Sequence, residues 1–170
     1  MKLKHFIQWT ILFSILTACG FAQTTAKVVK ITDGDTYKLQ VNGKIITARL
    51  ANADAPEKTQ NFGMAAKDSV SNLLLNKTVQ IDSVGTDQYN RQITFIKIDN
   101  KRVDSIIIVN GWAWHYKQYN SEAMLENCQT KAIANKKGLW ACGVNGVCPP
   151  WVFRHHKTAY RLQHCNACKN

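Results

Sequence analysis

The stretch around Asn42-Gly43 constrains the fold most, because it has the pattern of a β-hairpin with a defined turn. Apolar side chains alternate with polar ones on both sides of this dipeptide. Asn-Gly between two alternating segments is one of the strongest hairpin indications in a sequence. Such a hairpin brings Asp35 and Arg49 to the same end of a sheet. Their relative face depends on whether the loop has two or three residues, which the pattern leaves open.

Three further segments have strand composition, and two have apolar residues at helical spacing. The strand segments are Val28–Ile31, Thr78–Ser83 and Gln92–Ile98; the helical positions are Ala66, Val70, Leu73 and Leu74, then Leu125, Cys128 and Ala132. Five strands with a helix between the third and fourth predict an α+β fold, a five-stranded OB-like β-barrel with about three helices. A Cys-rich C-terminal tail follows it.

One segment, Val103–Val109, has two interpretations. Its isoleucine-rich run has the composition of a strand, whereas Gly111 is typical of the end of a helix. The residues alone do not decide between them.

Three acids and two arginines lie in short motifs that are far apart in the chain, namely Asp35, Arg49, Asp54, Glu57 and Arg91. Hydrolysis of a phosphodiester, which is an anion, needs a base to activate water and positive charge on the phosphoryl oxygens. Carboxylate and carbonyl oxygens suit a hard cation such as calcium, and the arginine fork suits phosphate. The set therefore indicates two metal-binding aspartates, a glutamate base and an arginine clamp.

Each motif has a simpler explanation when it is taken alone. Asp-Gly-Asp-Thr at residues 33–36 has the composition of a solvated turn, and Asp-Ala-Pro-Glu at residues 54–57 is a fair helix start. The occurrence of all the motifs in one order favours the catalytic interpretation.

In these motifs the chain resembles the staphylococcal nuclease (thermonuclease) family, over about residues 26–141. Members of that family are similar in having the Asp-Gly-Asp-Thr turn, an Arg-Leu segment leading into Asp-x-Pro-Glu, and a later Tyr-x-Arg. Here these are residues 33–36, 49–57 and 89–91. The resemblance also implies that residues 103–109 form a helix.

The resemblance implies a calcium ion held by Asp35, Asp54 and the backbone carbonyl of Ala55, with Glu57 as general base and Arg49 and Arg91 on the phosphate. It further implies cleavage of DNA or RNA to 3′-phosphate ends. The best-known relative has threonine where this chain has Ala55, a change that leaves the main-chain ligand in place. The link from Glu57 to Phe62-Gly63 is also short beside the long loop of that relative, so substrate access is expected to differ.

Two tyrosines are candidate substrate contacts. Tyr89 belongs to the Tyr-x-Arg motif, for which the resemblance implies a contact to a substrate phosphate, and Tyr116 lies in the aromatic stretch of residues 111–119. Exposed rings there could stack on bases. Trp112 and Trp114 are expected to belong to the core and rim of the barrel instead.

The charge is strongly positive. The formal net charge is +11, and with Lys2 and Lys4 set aside the chain has 20 basic and 11 acidic residues, or +9. This balance favours polyanionic partners such as nucleic acid without choosing between DNA and RNA. It is also compatible with a role in solubility alone.

The first residues have the pattern of an export signal. Lys2 and Lys4 precede an apolar stretch that is too short for a confident membrane span. Leu16-Thr17-Ala18-Cys19 resembles a lipoprotein box, which would place a lipid anchor on Cys19, whereas Gly20-Phe21-Ala22 resembles an ordinary cleavage site. We expect a secreted or periplasmic protein, or alternatively a membrane-anchored lipoprotein.

Four cysteines in the tail are candidates for disulfides or for a zinc site, and they are Cys142, Cys148, Cys165 and Cys168. Export favours two disulfides over zinc, because oxidising compartments convert thiols to disulfides. The pairing cannot be deduced from the sequence. Cys128 would remain as a buried helical thiol. No acidic residue follows Glu126, so the tail is purely basic and could widen a surface for polyanions.

These observations divide the chain into a signal peptide at 1–22, a barrel domain at 23–141 and a basic Cys/His-rich tail at 142–170. We expect a monomeric, exported, calcium-dependent nuclease. Two alternatives stay open: a non-catalytic OB-fold module that binds nucleic acid or protein, and a scaffold for a zinc-binding tail.

Overall fold

The computed structural model describes residues 23–117 and 121–165. The strands are β1 (Thr25–Ile31), β2 (Thr36–Val41), β3 (Lys44–Leu50), β4 (Ala53–Asp54), β5 (Thr78–Thr86), β6 (Gln92–Ile98), β7 (Lys101–Arg102) and β8 (Trp114–His115). The helices are α1 (Gly63–Leu74), α2 (Val103–Val109), α3 (Ala123–Ala134), α4 (Pro150–His155) and α5 (Thr158–His164), with a 3-10 turn at Gly138–Trp140.

The predicted hairpin is confirmed, and its loop has two residues. Asn42 and Gly43 have φ of 48° and 80°, the pair of positive angles that the tightest hairpin turn requires. The register runs from Val41 opposite Lys44 to Thr36 opposite Arg49. This register sets which side chains of the two strands lie side by side at the far end of the hairpin.

The sheet closes into a five-stranded barrel, which confirms the predicted α+β fold. The strand order is β3-β2-β1-β5-β6, and a parallel pairing of β3 with β6 joins the two ends. Alternate residues of β2 and β3 face the interior, where Tyr37, Leu39 and Ala48 are fully buried. Closure leaves no free edge at β3, the strand that contains Arg49.

Residues 103–109 form the helix α2, as the family resemblance implies. Val103, Ile107 and Ile108 are completely buried. Ile107 and Ile108 follow Val103 by four and five residues, which places all three on the side of the helix that packs on the barrel. Gly111, with φ of 67°, follows this helix. The burial of a helical face overrides the strand propensity of the isoleucines.

A second apolar cluster lies beside the barrel. Its buried residues are Trp114, Ala132, Leu139 and Trp140, and Trp151 of α4 packs against them. The tail contains two short helices, α4 and α5, that the sequence pattern did not indicate. None of the described helices is both long enough and apolar enough to cross a bilayer.

Candidate active site

The acids identified from the sequence meet at the end of the β2–β3 hairpin. Asp35 immediately precedes β2, Arg49 is the penultimate residue of β3, and Asp54 ends β4. Leu50 N–H donates to the Asp35 carbonyl at 2.8 Å, which ties the start of β2 to the end of β3. Asp35 and Asp54 are buried, with 5% and 1% of their surface exposed, although burial of an unpaired carboxylate is unfavourable.

Arg49 is the cation that joins these two aspartates. Its Nη1 lies 2.6 Å from Asp35 Oδ2, and its Nη2 lies 2.7 Å from Asp54 Oδ1. Nη1 also donates to the carbonyl of Ala53 at 2.9 Å. Burial tends to lower the pKa of Arg49, but the charges of Asp35 and Asp54 raise it. The guanidinium stays charged and holds both carboxylates in one place.

Asp35 is also tied to the segment that contains the predicted carbonyl ligand. Its Oδ2 accepts a hydrogen bond from Ala55 N–H at 2.5 Å, and its Oδ1 accepts one from Thr36 Oγ1 at 3.0 Å. The main chain of Ala55 therefore lies beside the carboxylate. Gly34 permits this approach, because a Cβ at that position would lie 2.6 Å from Ala55 Cβ.

Arg91 reaches the cluster from the loop between β5 and β6. Asp87 holds this loop: its Oδ2 accepts from Arg91 Nε at 2.8 Å, and its Oδ1 accepts from the backbone N–H groups of Tyr89 and Arg91. Arg91 Nη1 donates to Thr36 Oγ1 at 3.3 Å. Since Thr36 in turn donates to Asp35 Oδ1, two hydrogen bonds through the Thr36 hydroxyl link Arg91 to Asp35.

The two candidate tyrosines differ in their surroundings. Tyr89 is 70% exposed, and its ring centroid lies 5.4 Å from Arg91 Cζ. Tyr116 is half-buried, with its ring 5.8 Å from that of Trp151 in the tail. Tyr89 is therefore accessible beside the site, whereas Tyr116 lies against the tail.

Glu57 has a partner that the sequence did not reveal. Arg154 of α4 donates from Nη1 to Glu57 Oε1 at 2.8 Å and from Nη2 to Asp54 Oδ2 at 2.8 Å. Burial raises the pKa of Asp54, an effect that hydrogen bonds from Arg154 and the charge of Arg49 oppose. Apart from the basic character of the tail, nothing in the sequence pointed to Arg154.

The tail cysteines are oxidised where the structure describes them. Cys148 and Cys165 form a disulfide, so the zinc interpretation is wrong for this pair. Cys142 is disulfide-bonded as well, and Cys168 lies outside the described residues, as does Cys19. Cys128 is a free thiol, but it is only half-buried, because α3 turns that position towards the rim of its packed face.

The cluster has the chemistry of a cation site with hard oxygen ligands. Among residues 23–117 and 121–165, no group of three or more His, Cys, Asp and Glu side chains is arranged to hold a metal ion. The calcium site that the family resemblance implies needs only two side-chain carboxylates and one carbonyl, with water completing the shell. The carboxylates of Asp35 and Asp54 suit that donor set, because both are buried and both already pair with a cation, the guanidinium of Arg49.

A closed five-stranded barrel with acids and arginines gathered at the end of one hairpin defines the class, an OB-like α+β protein. The family model described as staphylococcal nuclease homologue matches residues 47–142. The chain belongs to this family, which confirms the resemblance seen in the motifs.

Relatives in the same family cover most of the chain. An uncharacterized endonuclease of Haemophilus influenzae is 38% identical over 132 residues, covering 77% of this chain and 74% of its own length. A protein of the same description from Escherichia coli O157:H7 is 35% identical over 137 residues, covering 80% and 88%. Micrococcal nuclease of Shigella flexneri is 29% identical over 151 residues, covering 82% and 86%.

Proposed function

We propose that the protein is an exported, calcium-dependent nuclease that hydrolyses phosphodiester bonds of DNA or RNA. The observation that carries this proposal is the convergence of Asp35, Asp54 and Glu57 with two arginines, Arg49 and Arg154, in ion pairs of 2.6 to 2.8 Å. Membership of a nuclease family and relatives described as endonucleases support it. The excess of basic residues suits a polyanionic substrate.

Asp35, Asp54 and the carbonyl of Ala55 are the residues that would hold calcium. When bound, the ion would supply positive charge to the attacked phosphate and so favour the developing transition state. The buried position of both aspartates supports this role, because a cation there is not screened by bulk water.

Glu57 takes the role of general base in this proposal. It is half-exposed, so water can reach it, whereas Asp35 and Asp54 are enclosed. Glu57 accepts a proton from a water molecule as the water oxygen attacks phosphorus. The bond from phosphorus to the 5′ oxygen then breaks. That oxygen takes up a proton from solvent and leaves as a 5′-hydroxyl, while the other product strand ends in a 3′-phosphate.

Arg49 and Arg91 act on the charge that builds up on the phosphoryl oxygens. Both have planar guanidinium groups that can donate two parallel hydrogen bonds, and Asp35 and Asp87 orient them. Tyr89 lies exposed beside Arg91, where it is suited to contact a flanking phosphate.

Replacement of Glu57 tests the assignment against a matched control. Glu57→Gln should lower kcat by about 10²- to 10⁴-fold, the usual contribution of a general base, with nucleic-acid binding retained. Glu122→Gln is the control, since Glu122 is similarly exposed and pairs with Arg102 away from the acids. Wild-type turnover in Glu57→Gln would show that the base is wrongly assigned. A wild-type protein that binds nucleic acid tightly but cleaves none would favour the binding-module alternative.

A further inference from the structure

Arg154 contacts the candidate site from outside the segment that the family model matches. The match ends at residue 142, and Arg154 lies on α4, which begins at Pro150. Its two terminal nitrogens bridge Asp54 and Glu57, with Nη1 also 3.3 Å from Asp54 Oδ1. A side chain of the tail thus contacts both a proposed metal ligand and the proposed base.

This arrangement is incompatible with the chemistry that Asp54 and Glu57 would perform. Both oxygens of Asp54 accept from guanidinium groups, Oδ1 from Arg49 and Oδ2 from Arg154. A calcium ion on Asp54 would compete with Arg154 for the same carboxylate and repel its charge. Arg154 also occupies Glu57 Oε1, an oxygen that would otherwise be open to the attacking water. Catalysis therefore requires Arg154 to leave both acids.

The tail keeps Arg154 near the site after it leaves. Gln60 Nε2 donates a hydrogen bond to the Cys148 carbonyl, and Cys148 is joined to Cys165 by the disulfide. Trp151 packs with its ring centroid 6.5 Å from that of Trp114. The backbone is held on the barrel, while the Arg154 side chain is 42% exposed. The freed guanidinium would remain within a side-chain length of Glu57.

We infer that Arg154 is a third phosphate-binding arginine, which the disulfide-linked tail holds against Asp54 and Glu57 until a cation and a substrate replace those contacts. A phosphodiester is the ligand that a released guanidinium at this position would take, because its anionic oxygens accept two parallel hydrogen bonds. The inference rests on the proposed nuclease function and assigns it one more substrate-binding residue.

The experiment compares wild type, Arg154→Ala, Arg154→Lys and the control Lys157→Ala, all in the oxidised form. Lys157 is an exposed cation of the same tail, so its loss removes the same charge without touching the acids. Calcium affinity is measured by titration calorimetry without nucleic acid. Separately, kcat and KM are measured on a single-stranded DNA oligonucleotide at saturating calcium.

Arg154→Ala should bind calcium several-fold more tightly than wild type, because the competing cation is gone. It should nevertheless have kcat/KM lower by about 10- to 100-fold, the loss expected when a charged donor to the transition state is removed. Arg154→Lys should recover part of the activity, since it keeps the charge and loses the fork. Lys157→Ala should match wild type in both measurements.

Three outcomes would overturn the inference, and they can be told apart. Unchanged calcium affinity in Arg154→Ala would mean that Arg154 does not compete for Asp54. Cleavage at the wild-type rate or faster would mean that Arg154 only blocks the site. An absence of cleavage by the wild-type protein would overturn the proposed function and this inference together.

Discussion

Arg49 and Asp35 form a buried ion pair across the β2–β3 hairpin, with 2.6 Å between Nη1 and Oδ2. The pair exists because the two-residue turn places Arg49 opposite Thr36, next to Asp35. Arg49 also holds Asp54, so a single guanidinium stabilises two carboxylates that have almost no access to water. It has a structural role as well as its proposed role on phosphate.

Loss of Arg49 should therefore destabilise the fold. Arg49→Met leaves Asp35 without this cation and Asp54 with Arg154 alone, and breaking a buried pair from one side costs about 3 to 5 kcal/mol. Arg91→Ala is the comparison, because its pair with Asp87 is more exposed and is worth less than about 1 kcal/mol. Urea unfolding of both variants measures the difference. Equal loss of stability in the two would contradict the structural role.

Asp33 should make stability fall as the pH rises. Burial, and then the charge and side chain of Asp35, raise its pKa from 3.8 to about 7. The folded protein therefore binds this proton more tightly than the unfolded chain does, and the stabilisation is lost as the pH rises through that interval. The measurement is the free energy of unfolding in urea, with chelator present, at a series of pH values between 3.8 and about 7.

In Asp33→Asn the free energy of unfolding should depend less on pH. Some dependence should remain, because the pKa of Asp54 is also raised. An unchanged slope in Asp33→Asn would exclude Asp33 as the source.

Asp87 should act as a positioning residue for Arg91. Asp87→Ala removes the acceptor for Arg91 Nε and for two backbone N–H groups of the loop, so kcat/KM should fall. A loss of about tenfold corresponds to about 1.4 kcal/mol of transition-state stabilisation. Asp87→Asn keeps an oxygen for the backbone donors and should recover part of the activity. Steady-state kinetics on single-stranded DNA distinguish the two; equal loss in both would mean that the charge, and not the loop geometry, matters.

Gly34 should be required for the approach of Ala55 to Asp35. In Gly34→Ala the new Cβ would meet Ala55 Cβ at 2.6 Å, so one of the two segments must move. Overpacking of this kind costs about 1 to 3 kcal/mol, and calcium binding should weaken with it. Gly85→Ala is a matched control, since a Cβ there has nothing within 4 Å. Calorimetric titration with calcium and urea unfolding check both effects. If Gly34→Ala binds calcium like wild type, the close contact is not needed.

Local patterns predicted the features whose causes are local. The hairpin was predictable because Asn42-Gly43 determines its own turn, and β6 was predicted with the bounds that it has. Segment 103–109 was undecided from composition because its apolar residues suit both structures; the barrel surface that covers one helical face decides between them. Helical spacing predicted that Cys128 would be buried, but the thiol is only half-buried. Helical spacing identifies a packed face without showing where that face ends.

The part of the site that escaped sequence reasoning depends on contacts between distant residues. Arg154 is 97 residues from Glu57 and 100 from Asp54, and no motif links a tail arginine to either acid. The docking of the tail depends on Trp151, Gln60 and the Cys148–Cys165 pair, whose partners follow only from the folded chain. The proposed roles of the acids came from short motifs that can each be read locally, whereas the contact of Arg154 with two of those acids depends on how the tail packs on the barrel.

The most direct test of the central claim is an assay of the oxidised wild-type protein on single-stranded DNA and on RNA, with calcium or with a chelator in its place. The account predicts cleavage of at least one substrate with calcium, products with 3′-phosphate ends, and no cleavage in the chelator. Equal cleavage in the chelator, or tight binding without cleavage in calcium, would contradict it.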